Sequence, residues 1–188
     1  AAGGATARVG RWWGRRVGHH APRGEDRGTD ISPFCWVNGL VPTSDEWTAM
    51  RAHEFRDYRL RVHGLVEHPV ELSLSELREM AHQDQITMHN CIQGWSGIAE
   101  WGGLPFSALI DLVRPDPEAQ WVIFYSLATG AGGGFYYDSH SIHDPRHPKS
   151  LLAYELNGQP PPTMHARPLR IAPETRPGLQ PGKWGSAA

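Results

Sequence analysis

Apolar residues fall on alternate positions in Tyr58-Arg59-Leu60-Arg61-Val62, the period-two signature of a strand with one buried face. Gly64 then turns the chain into Leu65-Val66-Glu67-His68-Pro69-Val70, an edge-type strand because Pro69 has no N–H for a ladder. Ser73 and Glu76 stand three apart as a capping box, with Leu74, Leu77 and Met80 along one side of a short helix. Alternation returns from Ile86 to Cys91, placing Thr87, His89 and Cys91 on one face and Ile86, Met88 and Asn90 on the other. A Trp- and Gly-rich turn after Cys91 is expected to lead into a helix. Pro105 suits its first turn, and Phe106, Leu109, Ile110 and Val113 form its buried stripe.

Further on, the apolar run Trp121 to Tyr125 predicts a central strand. A flexible loop from Gly130 to Gly134 and then Phe135-Tyr136-Tyr137 follow. Leu151 to Leu156 predicts a strand closed by Asn157-Gly158, a strong hairpin signal. Pro168 to Ala172 is expected to be the last strand before a Pro- and Gly-rich tail. These elements predict an α+β domain of mainly β character with a few short helices and no internal repeat.

A length of 188 residues allows one domain with a real core. Its 21 Gly and 16 Pro agree with many turns and ordered loops. Residues 1–30 carry Trp12 and Trp13 in a Gly-, Ala- and Arg-rich background without period, which predicts a disordered or loosely docked arm ahead of a domain over 31–188. A net charge of −2 with dispersed cations excludes a nucleic-acid footprint. No run reaches the ~18 apolar residues of a membrane span, so the chain is expected to be soluble. Arg15-Arg16 lacks the apolar run of an export signal, which favours the cytoplasm. The first residue is Ala and not Met, so a lost upstream segment leaves the periplasm open. Two cysteines, Cys35 and Cys91, allow one bridge, although a chain of this size needs no staple.

The candidate chemistry centres on Cys91, in His89-Asn90-Cys91-Ile92-Gln93-Gly94-Trp95-Ser96. A thiolate at a strand end, beside backbone amides and a histidine, suits a soft metal centre or a nucleophile. Five segments carry a resemblance. They are Phe34-Cys35-Trp36-Val37-Asn38-Gly39; Cys91 to Ser96 with Trp101-Gly102-Gly103-Leu104-Pro105; Leu151 to Gly158; Pro168-Leu169-Arg170; and Lys183-Trp184. In this order and rough spacing the chain resembles, over about residues 31–184, the molybdopterin-binding domain of the sulfite oxidase family. More narrowly, it is similar to the bacterial branch that includes the catalytic subunit of the methionine-sulfoxide reductase system.

The resemblance implies a molybdenum–molybdopterin cofactor in a central pocket between strands and loops, with Cys91 as the protein thiolate on the metal. It implies cofactor contacts from Ser32, Cys35, Trp36, His89, Ser126, His165, Arg170 and Lys183, with Tyr137, or its neighbour Tyr136, near the open face of the metal. The implied activity is two-electron oxygen-atom transfer on a small oxo-substrate, sulfoxide or sulfite-like. The arginine cluster that grips sulfite in sulfite oxidases has no counterpart here, which argues against sulfite itself. Neither a haem-attachment nor a cluster motif occurs, so a separate haem- or quinone-linked electron-transfer partner is implied. The chain departs from the family's pattern at Ala166, where glycine is usual, and at Gln180, where a basic residue is usual. It also ends four residues after the Lys-Trp pair, where family members continue into another strand.

Two other readings compete. His140, His143 and His147 share a loop with Asp138 and Asp144, a possible zinc site and hence a hydrolase, although Pro145 and Pro148 deny the segment a helical face. The third is a cofactor-free binding domain using Trp12, Trp13 and the Gly-rich loop, with Cys91 packed as a small hydrophobe.

Overall fold

The computed structural model describes residues 27–33, 36–37, 41–91, 93–129, 134–173 and 185–187. Among these residues the helices are α1 (Asp45–Ala52), α2 (Leu74–Glu79) and α3 (Phe106–Val113). The strands are β1 (Arg59–Val62), β2 (Val70–Ser73), β3 (Gln83–Asn90), β4 (Ser96–Pro105), β5 (Trp121–Thr129), β6 (Phe135–Ser141), β7 (Ser150–Leu156), β8 (Arg170–Pro173) and β9 (Gly185–Ala187). They form a five-stranded sheet in the order β2-β1-β9-β5-β6 and a four-stranded sheet in the order β3-β4-β7-β8. The architecture is mainly β with a few short helices, as the patterning implies.

The main core joins both sheets through α3. Leu60 and Val62 of β1, Phe124 of β5, Leu152 and Tyr154 of β7 and the whole α3 stripe of Phe106, Leu109, Ile110 and Val113 are buried together. A second cluster of Ala99, Trp101, Leu151, Ala153, Leu156 and Ala172 covers the other face of the four-stranded sheet. The capping box forms: the Ser73 N–H donates to Glu76 Oε2 at 2.7 Å, and the Glu76 N–H donates to Ser73 Oγ at 3.2 Å. The Ser73 hydroxyl also donates to Glu76 Oε2, and this bond first and the Ser73 N–H second favour the carboxylate and hold the Glu76 pKa below its ordinary value.

Several expectations need correction. The stretch before Pro69 makes only an isolated bridge from Val66 to Pro115, and the edge strand starts after the proline. The turn after Cys91 leads not into a helix but into β4, ten residues long, which pairs along the whole of β3. β5 is flanked by β9 and β6, but Trp121, Ile123 and Tyr125 stand exposed on its outer face, so only one side of that run is core. Asn157 and Gly158 both take positive φ, as a tight hairpin turn requires, yet only Leu156 and Gln159 bridge across it. Pro160, Pro161 and Pro162 follow at once and supply no N–H to extend a ladder.

β8 is not the last strand. β9 runs parallel to β1 and antiparallel to β5, and Tyr58 Oη donates to the Gly185 carbonyl at 2.6 Å. Burial pushes the Tyr58 phenol above its ordinary 10.0. The folded chain therefore keeps this proton where the unfolded chain releases it. The associated stability is complete below pH 10 and declines above it, by up to ~1.4 kcal/mol per pH unit for one group. Tyr58→Phe is expected to cost about 1–3 kcal/mol by leaving a carbonyl unmatched. It should also flatten the alkaline decline, which urea titrations from about pH 9 to 11 would measure.

Candidate functional site

β3 ends at Asn90, and Cys91 opens the turn into β4. The Cys91 N–H donates to the Trp95 carbonyl at 2.9 Å, and its carbonyl accepts from the Gly94 N–H at 2.9 Å. Gly94 has φ +90, a conformation that L side chains rarely adopt. The thiol is thus mounted, half-buried, at the tip of a two-stranded arm. His89 pairs with Gly97 across the arm, and its ring lies 5.8 Å from that of Trp95.

Beyond Leu156, β7 leaves the edge of β4 open, and two other residues take its place. Asn157 accepts from the Glu100 N–H through Oδ1 at 3.0 Å and donates its own N–H to the Glu100 carbonyl at 2.8 Å. Ser32 then donates its N–H to the Ile98 carbonyl and accepts from the Ile98 N–H through Oγ, both at 2.9 Å. Because Ile98 is opposite Met88, Ser32 is brought alongside the arm that carries His89 and Cys91.

Register places a further candidate on the same face. Thr87 is opposite Ala99 and His89 opposite Gly97, so both share a face with Trp101; Gly103 is opposite Ala153, and Ala153 opposite Arg170. Arg170 is 6% exposed, with its guanidinium carbon 4.4 Å from the centroid of the Trp101 ring, so it is a buried cation against an aromatic face and not a surface residue. Ser126 is buried in β5 opposite Gly185. Its Oγ accepts from the Ala128 N–H at 3.0 Å. The Gly185 N–H in turn donates to the Leu169 carbonyl at 3.2 Å, which connects Ser126 through β9 to the start of β8.

His165 ends the 3-10 turn Thr163–His165, and Ala166 after it has φ +79 and is fully buried. This is the position where glycine is usual, and the left-handed backbone is the physical reason. Tyr137 is 63% exposed on β6 and pairs with Tyr125, on the face away from Ser126. Tyr136 points to the inner side, where burial first and Asp138 second raise its phenol pKa. Trp36 is exposed. Cys35 and Lys183 lie outside the described residues, and with them the Cys35–Cys91 bridge, as do Trp12, Trp13 and Gln180.

Trp101, within the Trp101–Pro105 motif, is the ring against which Arg170 packs, a contact that the spacing along the chain does not predict. The histidine loop is not drawn together: His140 is buried between Asp138, 3.3 Å away, and Asp144, 3.8 Å away, with its ring edge-on to Phe124. Among the described residues, the one cluster with metal-ligand atoms all within 4.8 Å is elsewhere, at His82, Asp84 and Glu155. A cavity of about 490 Å³ lies between β1, β5 and α3 and is lined by none of the candidate site residues. No described helix is long and apolar enough to cross a membrane.

The chain is similar to several known proteins. The chain is 30% identical over 138 residues to the protein-methionine-sulfoxide reductase catalytic subunit MsrP of Xanthomonas axonopodis pv. citri, covering 68% of this chain and 43% of that protein. It is 30% identical over 126 residues to MsrP of Gluconobacter oxydans, covering 61% and 40%. The fold is similar to that of the sulfane dehydrogenase SoxCD from Paracoccus pantotrophus, with a TM-score of 0.61 and 23% identity over 70% of this chain and 37% of that one. The chain thus spans less than half the length of these relatives. The resemblance to the sulfite oxidase family and its bacterial branch holds. With the family profile matching residues 47–186, the chain belongs to the oxidoreductase molybdopterin binding domain family.

Proposed function

We propose that the chain holds a molybdenum–molybdopterin cofactor with Cys91 as its protein thiolate, and that it serves two-electron oxygen-atom transfer on a small oxo-substrate of the sulfoxide class. The observation that carries this reading is the placement of Cys91 at the tip of the β3–β4 arm, two residues beyond His89 on the sheet face that also bears Arg170. The donor set fits the group. A soft anionic sulfur suits a metal that cycles through two electrons. A desolvated guanidinium at Arg170 and the hydroxyls of Ser32 and Ser126 suit the polar edge and phosphate of a pterin.

When bound, the cofactor supplies the two-electron redox change that oxygen exchange needs. The chain's own residues do the rest. The Cys91 turn, held by two main-chain hydrogen bonds, fixes where the sulfur points. His89 is positioned to orient the group in front of it. The Trp101 ring lies against the Arg170 guanidinium, whose carbon is 4.4 Å from the ring centroid, and helps to keep it from water. Ser32, His165, Cys35, Trp36 and Lys183 complete the proposed cofactor contacts, and Tyr137, exposed on an edge strand, is the proposed substrate contact.

Residues from about 31 onward act as one cofactor-holding unit, with the first 30 as an arm. Electrons are supplied by a separate haem- or quinone-linked protein, the partner that membership of this family suggests. The test is elemental and pterin analysis of the chain made in a host that synthesises molybdopterin. One molybdenum and one pterin per chain are expected. Molybdenum-free protein from such a host would overturn the reading, and stoichiometric zinc that is lost on replacing His140, His143 and His147 would put the hydrolase in its place.

A further inference from the structure

We propose that His82, Asp84 and Glu155 form a divalent-cation site for a zinc-like first-row metal, on the face of the four-stranded sheet opposite to the one that bears Arg170. One ligand atom from each residue lies within 4.8 Å of the other two. The strand register explains why they meet. Asp84 of β3 is directly opposite Gly102 of β4, and Gly102 is directly opposite Glu155 of β7. Two carboxylates from strands that do not touch therefore reach toward each other over a residue with no side chain. A Cβ at Gly102 would lie 2.6 Å from Asp84 Oδ1 and 3.1 Å from Glu155 Oε2, so glycine is what leaves the space.

The register also breaks at this point. Gly102 pairs with Glu155, but Gly103 pairs with Ala153, so Tyr154 is the extra residue of a β-bulge. A bulge re-aims side chains, and this one puts Tyr154 and Glu155 on the same side of β7 instead of opposite sides. Both then meet His82, which stands two residues before Asp84 and shares its side of β3. The imidazole lies between them, with Nδ1 3.1 Å from Tyr154 Oη and Nε2 3.0 Å from Asp84 Oδ1. With the phenol oxygen accepting from Nδ1–H, the Nε2 lone pair faces the carboxylates. Metal-bound histidines are commonly held this way by a second partner.

Charge points the same way. Among the described residues the ion pair of Asp84 is to His82, and no ion pair of Glu155 is seen; the other cation close by is Arg78, whose guanidinium carbon lies 5.4 Å from the Tyr154 ring centroid, so two carboxylates converge with the imidazole between them. A divalent cation matches that deficit, and one nitrogen with two oxygens is a donor set for zinc, manganese or ferrous iron rather than calcium or a thiophilic metal. His82 and Asp84 are 39% and 55% exposed, so the cation can enter from solvent and water can complete its coordination. The site is separate from Cys91: seven residues along β3 at ~3.3 Å each put it roughly 23 Å away. Bound there, a cation ties β3 to β7 across the glycine.

The test is Zn(II) calorimetry and Co(II) absorption on the full chain carrying Cys35→Ser and Cys91→Ser, so that neither thiol reports. One saturable site is expected, lost in Glu155→Gln and in His82→Gln and weakened about tenfold in Tyr154→Phe. Circular dichroism confirms that the variants fold, and Asp84→Asn serves if either of the first two does not. Affinity unchanged across these variants, or no saturable binding of either ion, would overturn the proposal and leave the Cys91 reading untouched.

Discussion

Replacing Cys91 by serine is expected to lower oxygen-transfer activity at least about a thousandfold, a barrier rise of roughly 4 kcal/mol, with no loss of fold. The sulfur's role is chemical. A thiol ionises readily and binds soft or high-valent metals through a polarizable anion, whereas a serine hydroxyl at neutral pH is protonated and hard. The structural role of the position lies in the main chain, since the turn is closed by the Cys91 N–H to Trp95 and the Gly94 N–H to Cys91, both indifferent to the side chain. Unfolding midpoint and circular dichroism should therefore match the parent. Turnover with an artificial electron donor and molybdenum content per chain are the measurements, and full activity in the variant would reject the thiolate role.

Gly103→Ala is the matching prediction for stability, with an expected loss of about 3 kcal/mol or more. A Cβ there would press on the Leu152 carbonyl oxygen and sit 2.7 Å from Ala153 Cα. Both are backbone, and Ala153 is the ladder partner of Gly103 on one side and of Arg170 on the other. The clash is therefore resolved only by parting β4 from β7, in the middle of the sheet. For a chain of this size the midpoint of thermal unfolding should fall by roughly 6–12 °C. Gly28→Ala is the control, because a Cβ there meets nothing within 4 Å, and it should leave the midpoint in place.

The local parts of the fold were legible in the sequence because each rests on a period or cap that neighbours in the chain create. β1, the alternation of β3, the α3 stripe and the Ser73–Glu76 box are of that kind. β4 escaped because its buried positions include Gly97, Ala99, Gly102 and Gly103, small residues that carry little hydrophobic signal but are what close packing between strands requires. β9 escaped because Gly-Ser-Ala has no strand character of its own and is held by β1, β5 and the Tyr58 hydroxyl. At the candidate site Cys91 and His89 could be read from one segment, whereas the Trp101–Arg170 stack needs the order β4-β7-β8. The meeting of Asp84 and Glu155 needs that register plus a bulge, and no spacing along the chain encodes it.

The alternation of β3 makes one strand the dividing wall between two chemistries. An alanine walk from residue 82 to residue 91 would behave as two separate experiments: steps at 87, 89 and 91, on one face, would register in redox assays, and steps at 82 and 84, on the other, in cation titrations.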